Sequence, residues 1–297
     1  MINLRDIAYV RSGTADLEAA VRFAVDIVGL QEQERDDGAA YLRADHRHHC
    51  LAFVEGESGV LASAFSLGDE NELADAERQL EAAGVPVARG TSQQARARRV
   101  RDLLAFDDPF GNRFELVVDQ ARDARPVAFG RSAGITEFGH LCVDAPDVRE
   151  AYRFWSGLFN VRISDWIGDW AALLRIDQVH HKLAVFRGGS PGLCHINFQV
   201  TSLDDVMRSW HFLEENGVEI QQGPGRHPQS TAVFLYFKGP EGLTYEYSYG
   251  VQLIEDEASW QPRWFDPMHP ASIDMWCGTS KRVSTQPQVR RPLGADR

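Results

Sequence analysis

The sequence predicts an α+β fold: two tandem domains, each built from two β-α-β-β-β modules that form a curved, mostly antiparallel sheet. Two observations carry this. The first is a duplication, in which segment 3–120 can be laid on segment 134–250 with four matches in the same order. Tyr9-Val10 ahead of Asp16-Leu17 matches His140-Leu141 ahead of Asp147-Val148, and the run Asp45 to Phe53 matches Asp177 to Val185. Leu80 to Val85 then matches Leu213 to Val218, and Asp108 to Glu115 matches Gly239 to Glu246. The second observation is the order of apolar runs inside each half, where one strand and one helix precede three further strands, twice over.

The elements of the second half follow in order. Phe138 to Val143 is a short apolar strand. Asp147 is placed to cap a helix whose Ala151, Phe154, Trp155 and Leu158 recur at helical spacing. Strands are expected at Val161 to Ser164, Trp170 to Ile176 and Lys182 to Phe186. The pattern restarts with His195 to Val200, and a helix over Leu203 to Asn216 is stopped by Gly217. Strands at Val218 to Gln221, Val233 to Lys238 and Thr244 to Ser248 complete the module. This divides the chain into a degenerate N-terminal domain without metal (1–125), a catalytic metal-binding domain (134–250) and a C-terminal extension (251–297). Trp260, Trp264, Phe265 and Trp276 suit an extension packed on the body, whereas the polar residues 281–297 suit disorder.

Composition narrows the function. A formal net charge of −12 argues against nucleic-acid partners. The run Arg96, Arg98, Arg99 and Arg101 reads as a solvated loop because alanine interrupts it and acid flanks it. Cys50, Cys142, Cys194 and Cys277 are scattered and form no C-x-x-C pair, which fits reduced thiols in a cytoplasmic protein. Neither a signal peptide nor a membrane-length apolar run is expected.

The chemistry-bearing residues fall on strands of the second half. His140 and His195 each lie on the first strand of a module, and Glu246 on a last strand. If the modules pair around a cup, two imidazoles and one carboxylate converge on one face of a metal and leave the opposite face open, the pattern of non-haem Fe(II) oxygenases. The duplication is an internal control: the first half has Tyr9 and Ala62 where the histidines would be and keeps only Glu115. The first half should therefore be metal-free. His46, His48 and His49 lie in that half and read as a solvent-edge cluster, His49 being a relic of the duplication. Of His180 and His181, adjacent on an expected strand, only one can face the cup; the other should be structural.

The stretches F-G-H-L-C-V (138–143), H-H-K-L-A (180–184), C-H-I-N-F-Q-V (194–200), and G-R-H followed by F-L-Y-F and T-Y-E-Y-S (225–248) resemble the type I extradiol catechol dioxygenases of the vicinal oxygen chelate superfamily, whose domains have the glyoxalase-like fold. The resemblance implies Fe(II) on His140, His195 and Glu246, with Mn(II) as an ion the same ligands accept. It implies His181 as the acid/base residue beside the O2 site, with His227 and Tyr236 around the substrate. The implied reaction inserts both atoms of O2 into a substituted catechol, next to its hydroxyls, to give a muconic semialdehyde-type product. Ser230 stands where several relatives carry an acid. Trp166 and Trp170 are candidates to line the aromatic pocket, and Arg175 and Arg226 could meet an anionic substituent. The family commonly forms homo-oligomers, and the same is expected here. Competing readings are another metalloenzyme of the superfamily, such as a glyoxalase-like isomerase or thiol transferase, and a non-catalytic module that binds an aromatic ligand.

Overall fold

The computed structural model of the chain describes residues 1–36 and 38–276. The first half runs β1 (Asp6–Thr14), α1 (Leu17–Arg22, continued by a π-helical turn Phe23–Val28), β2 (Gln31–Asp36), β3 (Ala39–Arg43) and β4 (Leu51–Glu55). Its second module is β5 (Gly59–Ser66), α2 (Glu70–Ala82), β6 (Val87–Arg89), a short helix α3 (Ser92–Arg96), β7 (Asp102–Asp107) and β8 (Arg113–Val118). The second half repeats this as β9 (Ile135–Ala145), α4 (Val148–Leu158), β10 (Arg162–Ile167), β11 (Ala171–Arg175) and β12 (Leu183–Arg187). Its last module is β13 (Leu193–Val200), α5 (Leu203–Glu215), β14 (Ile220–Arg226), β15 (Val233–Lys238) and β16 (Thr244–Tyr249). The extension adds a short strand, β17 (Arg263–Phe265).

Local chemistry sets these boundaries. The side chains of Asp16, Asp69, Asp147 and Ser202 accept backbone N–H bonds at the first turns of α1, α2, α4 and α5, each contributing about 1 kcal/mol. Gly29, Gly84 and Gly217 end helices with positive φ, a conformation that other residues adopt at a cost. Among the described residues, no helix is long and apolar enough to cross a membrane.

Each half forms one sheet. The orders are β2-β3-β4-β1-β5-β8-β7-β6 and β14-β15-β16-β13-β9-β12-β11-β10-β17. Pairing is antiparallel except where the first strand of a module meets its last and where β17 joins β10. Helices α1, α2, α4 and α5 lie in the apolar layer that joins the two sheets. Trp155 of α4 reaches across it to Phe65 (5.9 Å between ring centroids), Phe106 (6.2 Å) and Phe114 (4.7 Å) of the first sheet. Such aromatic pairs contribute roughly 0.5–1.5 kcal/mol each beyond their burial. The opposite faces of the sheets are the cups. On β9, strand alternation sends Leu141 and Val143 into the helix-side core, while Cys142 joins Leu173 and Ala184 in a separate small cluster.

The first cup is filled by its own chain. Tyr9, Ala95, Val100, Leu103 and Val117 pack together there. Arg98 and Arg99, expected in solvent, turn inward instead. Arg98 pairs with the buried Glu115, and Arg99 with the half-buried Glu34 and the exposed Asp36, because these carboxylates on the sheet recruit them. The extension packs on the body as expected: the Trp260 indole N–H donates to Ser164 O, and β17 extends the sheet. Cys277 and the expectation of disorder over 281–297 lie outside the described residues.

Candidate metal centre

Register brings the triad together. Asn197 on β13 stands opposite both Glu246 on β16 and His140 on β9, and His195 stands opposite Cys142 on β9. The three residues therefore sit on three adjacent strands at one level of the cup. Gly139, next to His140, allows this approach, since a Cβ there would come within 2.2 Å of Asn197 Oδ1.

The ligand atoms form a small triangle. His140 Nε2 lies 3.1 Å from His195 Nε2 and 2.9 Å from Glu246 Oε2, and His195 Nε2 lies 3.4 Å from that same oxygen. Three donors on one face of an octahedron, each about 2.1 Å from a central ion, stand about 3 Å apart. Protonation does not account for the closeness. Burial pushes both histidines down to about 3, so their rings are neutral and these contacts are not ion pairs. Burial pushes the Glu246 carboxyl up, while His195 and His227 oppose that shift. Glu246 Oε2 is buried and accepts no hydrogen bond despite its short contacts. Neutral imidazoles and an orphaned carboxylate oxygen aimed at one point are what a divalent cation requires. The residues fit a metal ion, and the three form a group with metal-binding geometry.

This triangle borders a cavity of about 460 Å3. His181, His227 and Tyr236 line it, with Trp170, Leu173 and Phe186 on the apolar side. The His181 ring lies 4.3 Å from that of His140, between centroids, and burial pushes its pKa well down. His227 Nδ1 lies 2.7 Å from Ile273 O. A carbonyl only accepts, so the proton is on Nδ1 and Nε2 is left to accept from the Tyr236 hydroxyl at 3.0 Å. Burial pushes the Tyr236 phenol well up, keeping it a donor.

Not every candidate reaches this site. Trp166 is absent from the cavity wall. It points to the helix side, edge-on to Tyr152 with the Arg149 guanidinium 3.6 Å from its ring centroid, because the pleat sends alternate residues of β10 to opposite faces. Arg175 is buried on Glu257 of the extension, and Arg226 donates to Thr231 O. Ser230 does line the cavity, with its hydroxyl unpaired. His180 and His181 belong to the turn before β12 rather than to the strand. His180 is fully buried beneath His181, bonded to Asp165, and not at a surface.

Three residues near the site went unnoticed in the sequence: Asp165, Arg263 and Ile273. Asp165 had a signal, because its counterpart in the duplication is Glu34, so an acid recurs there. Arg263 and Ile273 had none, since the extension has no partner in the first half.

Comparison with known proteins agrees with this geometry. The family described as Glyoxalase/Bleomycin resistance protein/Dioxygenase superfamily matches residues 6–116 and 137–247. The chain is 27% identical to an iron-dependent extradiol dioxygenase of Rhodococcus jostii (strain RHA1), over 96% of this chain and 100% of that one. It is 28% identical to a biphenyl-2,3-diol 1,2-dioxygenase of Paraburkholderia xenovorans (strain LB400), over 86% and 90%. Among solved structures, a halotolerant catechol dioxygenase superposes with a TM-score of 0.87 at 27% identity, covering 97% of this chain and 98% of that one. A Mn(II)-bound glyoxalase from Novosphingobium aromaticivorans gives 0.84 at 27%, covering 93% and 91%.

Proposed function

The chain belongs to the Glyoxalase/Bleomycin resistance protein/Dioxygenase superfamily, and within it we propose that it is an extradiol dioxygenase that opens a substituted catechol next to its two hydroxyls. The observation that carries this reading is the triangle of His140, His195 and Glu246 beside a cavity that His181, His227 and Tyr236 also line. Fe(II) is the proposed ion, following the iron-dependent relative, with Mn(II) the alternative. When bound, the ion would supply a Lewis acid and a template for substrate and O2.

The chain's own residues do the rest. Tyr236 holds a proton and donates it to His227, so the pair can hydrogen-bond a catechol hydroxyl and accept its proton. His181 stands beside the His140 edge of the triangle, where it can take up a proton from the substrate and return it as the ring opens. Leu173, Trp170 and Phe186 give the aromatic ring an apolar wall and keep water away. A cavity of about 460 Å3 suits a catechol with a substituent. A cytoplasmic homo-oligomer remains part of the proposal.

The test is anaerobic loading with Fe(II) or Mn(II), followed by a panel of plain, 3-substituted and bicyclic catechols and then air. A yellow ring-opened product with matching O2 uptake is the expected result. Tight binding of catechols without colour or O2 uptake would replace this reading with a binding module.

A further inference from the structure

We propose that His180 is a positioning residue, and that with Asp165 and Arg263 it locks His181 into the tautomer whose bare nitrogen faces the cavity. The inference rests on the ring-opening reading for its consequence, but not for its geometry. The chain of contacts starts in the C-terminal extension. The Arg263 backbone N–H donates to Asp165 Oδ1 (2.7 Å), its Nε to the same oxygen (3.1 Å) and its Nη2 to Oδ2 (2.6 Å). His180 Nε2 lies 2.9 Å from Asp165 Oδ2, and His180 Nδ1 lies 3.1 Å from His181 Nδ1. Asp165 and His180 are both fully buried.

Counting protons orients every bond. The carboxylate accepts only, so His180 must donate through Nε2. The guanidinium of Arg263 already balances the charge of Asp165, so no second cation is needed there, and burial lowers the pKa of His180. A neutral imidazole has one N–H, which leaves His180 Nδ1 as an acceptor. His181 must then donate from Nδ1, and its Nε2 is the unprotonated atom left to the cavity. A histidine held this way meets substrate as a proton acceptor without first having to rotate or exchange its proton. The extension therefore contributes to the site through Arg263.

The first half contains the same chain. Arg99 pairs with Glu34 through Nε (2.9 Å) and Nη2 (2.7 Å), Glu34 lies 2.8 Å from His48 Nε2, and His48 Nδ1 lies 3.1 Å from His49 Nδ1. His49 Nε2 is buried without a hydrogen-bond partner, as expected of a lone pair rather than a stranded N–H. There the relay ends at Tyr9 instead of a metal ligand, the two rings stacked 4.9 Å apart. The first half is thus a built-in control for a purely structural role.

The experiment has two arms on the full-length chain. Nitrogen-15 NMR of the metal-free protein, assigned by the signals lost in His181→Gln, reads which nitrogen of His181 carries the proton. Nδ1–H is expected in the wild type, and an Nε2–H ring would overturn the inference whatever the enzyme does. In the second arm His180→Leu, which removes the acceptor, should lower kcat by on the order of 10²-fold with KM and metal content unchanged. His180→Asn places an amide oxygen where Nδ1 was and should restore most of that loss. His48→Leu should leave kcat unchanged. Equal losses in His48→Leu and His180→Leu, or no rescue by asparagine, would make His180 a packing residue. If His180→Leu fails to fold, the wild-type spectrum and His180→Asn still decide. A wild type that opens no catechol would sink the ring-opening reading while leaving the tautomer assignment standing or falling on its spectrum.

Discussion

The two halves of this chain share a frame and differ at its centre. In both, the first strand of each module lies beside the last, and one register position faces two others: Asn197 opposes His140 and Glu246, and Ala64 opposes Tyr9 and Glu115. In the second half the side chains there are two neutral imidazoles and a carboxylate oxygen without a hydrogen bond. In the first half Glu115 accepts from the Tyr9 hydroxyl (2.7 Å) and from Arg98 Nε (2.7 and 2.8 Å). A guanidinium and a phenol satisfy the carboxylate that a cation would satisfy in the other half. The lesson is that a buried acid inherited through duplication needs a counter-charge, and either a metal or an arginine will serve.

That contrast can be broken at several points, the most damaging first. Glu246→Ala should abolish metal binding and turnover, read by elemental analysis and O2 uptake. Glu115→Ala should leave metal content and kcat intact but lower stability by about 3–5 kcal/mol, read by denaturant unfolding, because Arg98 is left without its partner. Metal loss in Glu115→Ala would mean that the halves are not separable in the way described.

His181→Ala comes next. It should retain the metal while turnover falls on the order of 10² to 10⁴-fold. Its counterpart His49→Ala should leave turnover unchanged, with any effect confined to thermal stability. Tyr236→Phe removes one hydroxyl and should cost roughly 10-fold in kcat/KM in a catechol assay, while metal affinity stays within a few-fold. In the first half Ala105 stands opposite Glu115 as Tyr236 stands opposite Glu246, so no variant there should imitate this loss.

Much of this was legible in the sequence because duplication and strand alternation are local patterns. The pairings of Tyr9 with His140 and of Glu115 with Glu246 needed only the order of matched motifs, and the register agrees with them. Helix α5 and strand β15 fall where the apolar spacing put them. What was hidden depends on tertiary placement. Trp166 and Trp170 differ by four residues, yet only Trp170 reaches the cavity, because the turn between β10 and β11 reverses the chain. Arg98 could not be matched to Glu115 without knowing that the loop folds over the first cup. Arg263 and Ile273 come from the extension, beyond the last matched strand residue Ser248, so nothing in the duplicated pattern could point to either.

On the proposed reading, one half holds the metal and the other holds a substitute for it. Binding stoichiometry under anaerobic conditions, measured by titration with Fe(II) or Mn(II), tests this most directly. The expected result is one ion per wild-type chain, one per Glu115→Ala chain and none in His195→Ala. Two ions per wild-type chain, or an undiminished site in His195→Ala, would contradict it.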